Sequence, residues 1–368
     1  MALELADIFR RYGPSYRQKY ASRMPSSHFK AMRAIEQCRT PALGGQVYRC
    51  PNCEQVQYSY HSCRNRHCPK CQNENAQRWL EKQQDLLLPV PYFLLTFTVP
   101  AAFNEVTRAH QKLFYDLLFK TSAAATQQLA LDPRWLGGQI GMVGVLHTWG
   151  RNLAYHPHVH YLVPGGGLSM IGQSWQTARN NFLLPVRALS RVFRSKLQQA
   201  LRRTGCYARI PAKVWRQEWV VHCEAVGSGL NALKYLAPYI FRVALSNNRL
   251  LNVENDCVTF RYRDTETGAE KRCALMAQEF IHRFLQHVLP KHFVKVRYYG
   301  FFAPTLRTRL TALRQSLTPT AELTTRSADQ PAHAPGLPAL QPHPILCPHC
   351  RQPMLFVHSL APLLCRSP

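Results

Sequence analysis

Apolar positions along the chain switch between two periods. Near the N-terminus Leu3, Leu5, Ile8 and Phe9 fall on one helix face, and Phe29, Met32, Ala34 and Ile35 on another. Residues 1–45 therefore read as short helices closed by Pro41-Ala-Leu-Gly-Gly. The polar stretch 72–87 is helix-forming and ends at Pro89 and Pro91. The continuous run Tyr-Phe-Leu-Leu-Thr-Phe-Thr-Val (92–99) reads as a buried strand. Helices are expected over 103–130. Two neighbouring strands follow, GQIGMVGVLHTWG (138–150) and YHPHVHYLVPGG (155–166). The helix RVFRSKLQQALRR (191–203) is amphipathic and basic. After it come a strand (218–227), a helix (230–243), a strand pair around a Glu-Thr-Gly turn (257–276) and a helix (277–289). From about 304 the chain is rich in Pro, Thr and Ala, which suggests a linker or disordered tail.

Charge changes this picture more than size does. The 368 residues suffice for two or three domains, and 46% are apolar. The net charge of +26 calls for an anionic partner, because so large a surplus repels itself in a compact fold. Nucleic acid is the first candidate, since phosphate contacts reward dispersed Arg and Lys. No apolar run is long enough to span a membrane, and the N-terminus lacks a signal core. The expected location is the cytoplasm, associated with the nucleoid through DNA. There the 13 cysteines stay reduced, and metal binding explains their grouping better than disulfides do.

That grouping exceeds chance. Random placement gives roughly half of one Cys-x-x-Cys pair; the chain has three, at Cys50/Cys53, Cys68/Cys71 and Cys347/Cys350. Fourteen residues separate the first two knuckles, close to zinc-ribbon spacing. Cys50, Cys53, Cys68 and Cys71 are accordingly the expected ligands of a structural zinc ion. His61, Cys63 and His67 lie between the knuckles and offer replacements or a second site. The Cys347/Cys350 knuckle has only His349, His358 and Cys365 close by as further ligands.

Two weaker motifs carry chemistry. His158 and His160 flank one apolar residue, so on a strand both imidazoles face one side. His147, eleven residues upstream of His158, is a candidate third ligand, with His156 the competitor. Three neutral imidazoles leave positions open for substrate oxygens, as a catalytic divalent cation requires. The three glycines after Pro164 suggest a tight turn or a close backbone approach to DNA. Tyr235 and Tyr239 share one face of a helix, with Pro238 between them. A phenol beside a metal-polarised phosphate is a nucleophile. Either motif alone is as readily a satisfied core pair.

Taken in order, these segments resemble the IS91 family of transposases, the rolling-circle, two-tyrosine group of HUH enzymes. The resemblance runs over about residues 5–303. It rests on LADIFRRYGPSY, AIEQCRTPALGG, CPNC…HSCRNRHCPKCQ, LLTFTVP, LHTWGRNLAYHPHVHYLVPGGG, YLAPYIFR and FIHRFLQHVLPKHFVKVRYYGFFAP. It implies an α+β, Rep-like HUH nuclease fold, an antiparallel sheet flanked by helices, behind an N-terminal zinc-binding domain. It also implies Mg²⁺ or Mn²⁺ at His158 and His160, Tyr235 and Tyr239 as nucleophiles, and single-stranded DNA at transposon ends and targets as partner. The expected organisation is a helical segment (1–45), a zinc-binding domain (46–78), a catalytic domain (90–245) and its α/β extension (246–303). A Pro-rich linker (304–346) and a small CxxC element (347–368) follow. Arg64, Arg66 and Lys70 in the zinc module, and Arg191, Arg194, Lys196, Arg202 and Arg203 on the basic helix, are candidate phosphate contacts. Tyr58, Tyr60 and Trp149 are candidate stacking platforms. A plasmid replication initiator or relaxase would use the same chemistry, and a zinc-dependent regulator would bind DNA without cutting it.

Overall fold

The computed structural model describes residues 3–71, 79–84, 86–171, 174–231, 233, 244–264, 267–318 and 345–363. It divides into two compact units, residues 1–72 with 320–368, and residues 73–319.

In the first unit α1 (Leu5–Tyr20) and α2 (Ser26–Gln37) bury the faces that the apolar spacing marks. Leu5, Ile8, Phe9 and Tyr16 are buried from α1, and Ala31, Met32 and Ile35 from α2. Arg17 and Glu36 form an ion pair of 2.7 Å between them. The chain then makes a hairpin of β1 (Gly45–Arg49) and β2 (Val56–Tyr60). The free edge of β1 is paired, antiparallel, by β14 (Leu355–Leu360) from the C-terminal end of the chain. The terminal CxxC segment, expected as an element of its own, is thus knitted into the sheet of the N-terminal hairpin.

The second unit is built on a five-stranded antiparallel sheet. Its strands are β3 (Pro91–Thr98), β5 (Met142–Trp149), β6 (Tyr155–Pro164), β9 (Val221–Ser228) and β13 (Val296–Tyr299). Their order is β13-β5-β6-β3-β9, so β6 is central. Two smaller sheets accompany it. One holds β4 (Gly138–Gln139), β7 (Gly166–Ser169) and β8 (Trp175–Thr177), the other β10 (Leu250–Glu254), β11 (Cys257–Arg263) and β12 (Glu270–Met276). Its helices include α3 (Asn104–Ala109), α4 (Gln111–Leu131), α5 (Val186–Arg202), α6 (Ala277–Gln286) and α7 (Arg307–Leu317). This is the mixed helix and antiparallel-sheet architecture that the family resemblance implies.

Pairing across the sheet fixes its two faces, because directly opposed residues point the same way. One face carries Phe93, Leu95, Phe97, Val159, Tyr161, Val163, Leu146 and Val221, packed with Phe114, Leu118 and Phe119 of α4 and Leu189, Phe193 and Leu197 of α5. The other carries Leu94, Val143, Val145 and Leu162, packed with Phe301, Phe302, Leu310 and Leu313. The second face also carries His147, His158 and His160, beside that apolar cluster, with His160 directly opposite Val145.

Two expectations need correction. Residues 307–317, expected within a Pro-rich linker, form α7, which buries Leu310 and Leu313. The Leu spacing of three was masked by the Thr and Arg that surround it. The glycines after Pro164 make no tight turn: β7 begins one residue after β6 ends. They serve close packing instead. A Cβ on Gly166 would lie 2.4 Å from the Trp175 ring, and one on Gly167 2.9 Å from the Gln139 carbonyl oxygen. Among the described residues, no helix is long and apolar enough to cross a membrane.

Candidate active site

The histidine site follows from strand register. His158 stands opposite His147 of β5, and His160 stands opposite Val145 on one side and Thr96 of β3 on the other. All three rings therefore project from one face of the central strands. Their ring centroids are 4.8 Å (His147–His160), 4.9 Å (His158–His160) and 5.2 Å (His147–His158) apart. One nitrogen from each lies within 4.8 Å of the other two. His147 is the most buried and stacks on Trp149, with Lys295 over the far ring. His156, the competing third ligand, is exposed and contributes its backbone.

Two rings are oriented by hydrogen bonds at Nδ1. His158 Nδ1 lies 2.7 Å from the carbonyl oxygen of His156, and His160 Nδ1 lies 2.8 Å from Thr96 Oγ1. A carbonyl can only accept, so His158 carries its proton on Nδ1 and its lone pair on Nε2, the arrangement that metal-binding histidines use; the Thr96 hydroxyl is compatible with the same tautomer at His160. Burial pushes His158 down to about 3, with repulsion from His160 adding to it, and pushes His160 down to about 4. Both rings are therefore neutral donors at neutral pH. Among the described residues no carboxylate joins the cluster. Three nitrogen donors of this kind suit a divalent cation that keeps open positions.

Tyr235 and Tyr239 lie outside the described residues. The described chain reaches Leu233, which is helical, follows directly on the edge strand β9 and is buried with Leu94, Val145 and Leu162. Those partners belong to the histidine face.

Among the described residues eight cysteines form two clusters, and they are not divided as spacing predicts. Cys68 and Cys71 join Cys38 and Cys63, whereas Cys50 and Cys53 join Cys347 and Cys350. Cys50, Cys53, Cys68 and Cys71 do not meet at one point. The chain leaves the first knuckle along β2, whose extended rise carries it away from Cys50 before the second knuckle begins. Cys63, noted as a replacement ligand, is brought in. Cys38 was not singled out, because an isolated cysteine carries no spacing signal. His67 instead receives Asn65 through its backbone, its N–H donating to Oδ1 at 2.9 Å. In the first cluster the Sγ atoms of Cys38 and Cys63 lie 3.5 and 3.6 Å from that of Cys71. The thiols of Cys63 and Cys68 hold Cys38 down to about 2, while Cys38 pushes Cys63 up to about 12. Four cysteine sulfurs converging on one point are the donor set of a structural zinc ion.

The basic residues separate into those already paired and those that line a cleft. Lys70 forms an ion pair with Glu4. Arg64 and Arg66 are exposed between the cysteines of the first cluster. On α5, Leu189, Phe193, Leu197 and Leu201 face the core. Arg191 and Arg194 line a cleft of about 330 Å³ with Arg187 and Arg216, in which Arg194 donates to the Gln217 carbonyl. Lys196 is half-buried and Arg203 exposed, while Arg202 lies over the Tyr207 ring.

Comparison with known proteins bears on both units. A family model described as "Transposase zinc-binding domain", of the IS91 type, matches residues 8–99, and one described as "Putative transposase" matches residues 141–309. The chain is thus a transposase, a DNA-cleaving and strand-transferring enzyme that acts at the ends of a mobile element. It is 42% identical to the "Putative transposase y4qJ" of Sinorhizobium fredii over 83% of this chain and 81% of that protein. It is 29% identical to the transposase for insertion sequence element IS801 of Pseudomonas savastanoi pv. phaseolicola, over 72% and 68%. No solved structure matches. The chain belongs to the IS91 family of transposases.

Proposed function

We propose that this transposase nicks and joins single-stranded DNA at element ends through 5′-phosphotyrosine intermediates, in rolling-circle transposition in the cytoplasm. The observation that carries the reading is the convergence of His147, His158 and His160 on one face of the central strand. A Mg²⁺ or Mn²⁺ ion bound there would polarise a non-bridging oxygen of the scissile phosphate. Tyr235 and Tyr239 act as the nucleophiles. The phenolic oxygen of one tyrosine attacks phosphorus. The P–O bond to the 3′ oxygen breaks, and that oxygen leaves as a hydroxyl carrying the proton the phenol gave up to solvent. The phosphate remains esterified to tyrosine, so its bond energy is kept and rejoining needs no nucleotide cofactor. A second tyrosine permits a second transfer before the first end is released.

Cys38, Cys63, Cys68 and Cys71 hold a structural zinc ion: four thiolates close its coordination shell and leave no position for substrate. Arg187, Arg191, Arg194 and Arg216 receive backbone phosphates in their cleft, with Arg64, Arg66, Lys196, Arg202 and Arg203 as further contacts.

The test is a labelled single-stranded oligonucleotide carrying an element end, incubated with the enzyme and Mn²⁺ and run on a denaturing gel. A covalent adduct is expected in wild type, lost in Tyr235→Phe/Tyr239→Phe and in His158→Ala, and kept in one single tyrosine variant. An adduct that persists in the double tyrosine variant would overturn the mechanism.

A further inference from the structure

We propose that the chain holds a second structural zinc ion, ligated by Cys50, Cys53, Cys347 and Cys350, which closes the N-terminal unit with a knuckle from the opposite end of the sequence. The matched zinc-binding model ends at residue 99 and reaches neither Cys347 nor Cys350. The inference is independent of the catalytic reading above.

Three features of the site carry it. The first is distance. Cys50 Sγ lies 3.3 Å from Cys350 Sγ, and Cys53 Sγ lies 3.5 Å from Cys347 Sγ and 3.6 Å from Cys350 Sγ. A tetrahedral ion with Zn–S bonds near ~2.3 Å sets its sulfurs roughly 3.8 Å apart, whereas a disulfide needs about 2.05 Å. These contacts are close to the first geometry and far from the second.

The second feature is construction. The two segments, Cys-Pro-Asn-Cys-Glu-Gln and Cys-Pro-His-Cys-Arg-Gln, are folded alike. The Cys50 amide donates to the Gln55 carbonyl at 2.9 Å, and the Cys347 amide to the Gln352 carbonyl at 2.8 Å. The Glu54 amide donates to the Cys50 carbonyl at 3.0 Å, and the Arg351 amide to the Cys347 carbonyl at 2.9 Å. The residue after the second cysteine is left-handed in both, with φ of 57° at Glu54 and 63° at Arg351. That conformation is costly for a side chain larger than glycine's. Its repetition at matching positions marks two knuckles that turn their thiols to one centre.

The third feature is burial. Cys50 and Cys347 are fully buried and pack with Met354, and Cys53 and Cys350 are half-buried. Four sulfur ligands and no other donor type favour zinc or iron, and leave no coordination position for chemistry.

The consequence is a zinc-binding unit assembled from both ends of the chain. β14 pairs with β1 immediately beyond the knuckles, so the ion and the strand pair hold the same junction. Truncation before Cys347 would remove half of the ligands and the outer strand together.

The experiment uses the full-length, reduced protein and measures zinc and iron per chain by mass spectrometry of the elements. Two zinc ions are expected in wild type, and one in Cys347→Ser/Cys350→Ser. Cys63→Ser/Cys68→Ser should lose the other one. Because a variant can lose metal by misfolding, wild type is also alkylated during stepwise chelation and its cysteines mapped by peptide mass. Cys347 and Cys350 should become reactive in step with Cys50 and Cys53, and out of step with Cys38, Cys63, Cys68 and Cys71. One zinc ion in wild type, iron in place of zinc, or rapid labelling of Cys347 and Cys350 in the zinc-loaded protein would overturn the proposal.

Discussion

Replacing Thr96 by Val probes the histidine site without touching a ligand. Thr96 Oγ1 lies 2.8 Å from His160 Nδ1, directly across the β3–β6 pair. With Nδ1 protonated, the hydroxyl accepts its proton and leaves the Nε2 lone pair free. Val has nearly the same shape and favours strands, so the fold is expected to keep its melting temperature within a few degrees. What is lost is a hydrogen bond that orients the ring of His160, a proposed ligand. Removing such a partner typically costs 10–100-fold in metal affinity, or about 1.4–2.7 kcal/mol at one decade per ~1.4 kcal/mol. Titration with Mn²⁺, followed by the electron paramagnetic resonance of the free ion, reads that change. Thr98→Val is the control. Thr98 stands opposite His158 on the same face, but His158 Nδ1 is held by the His156 carbonyl instead. Its affinity should stay within about twofold of wild type, well under the loss expected for an orienting partner. Equal losses in the two variants, or none in Thr96→Val, would refute the argument that Thr96 orients His160.

Other parts of the structure make further predictions. His287 is buried between Thr148 and the Leu153 carbonyl, and burial pushes it down to about 4 from an ordinary value of 6.5. The unfolded chain therefore takes up the proton first as pH falls. Stability is fully present above pH 6.5 and is lost towards pH 4, by up to about 3 kcal/mol from this group. Urea melts in chelator at several pH values should show a shallower acid loss in His287→Gln. Leu310→Ala should cost about 2–5 kcal/mol, because Leu310 is buried under the sheet; a thermal shift near zero would return this segment to the status of a linker. Arg187→Gln/Arg191→Gln should lower the slope of log affinity for single-stranded DNA against log salt by about 1.4, if each arginine neutralises one phosphate.

How much of this was visible in the sequence depends on how far apart the cooperating residues lie. The histidine strand was legible because His158 and His160 are two residues apart and His147 lies on the adjacent strand, so local period and one hairpin-like pairing bring them together. The knuckles were legible as knuckles for the same reason. Their assignment to ions was not, since Cys53 finds Cys347 and Cys350 across almost the whole chain and Cys38 has no motif around it. Sequence spacing made Cys50/Cys53 and Cys68/Cys71 look like partners; strand pairing of β14 on β1 gave the first pair another. The helix α7 was hidden by composition, its two buried leucines being few among Thr and Arg. The orienting contacts at Thr96 and the His156 carbonyl depend on register and backbone direction, which no local pattern encodes.

If His147, His158 and His160 hold the divalent cation on which transposition depends, diffraction from crystals of the full-length protein grown with Mn²⁺, collected for anomalous scattering by manganese, should show it. An anomalous peak is expected within bonding distance of one ring nitrogen of each of the three histidines, close to the ~2.1 Å of a metal–imidazole bond. Manganese bound elsewhere on the sheet, with these three rings unliganded, would contradict it.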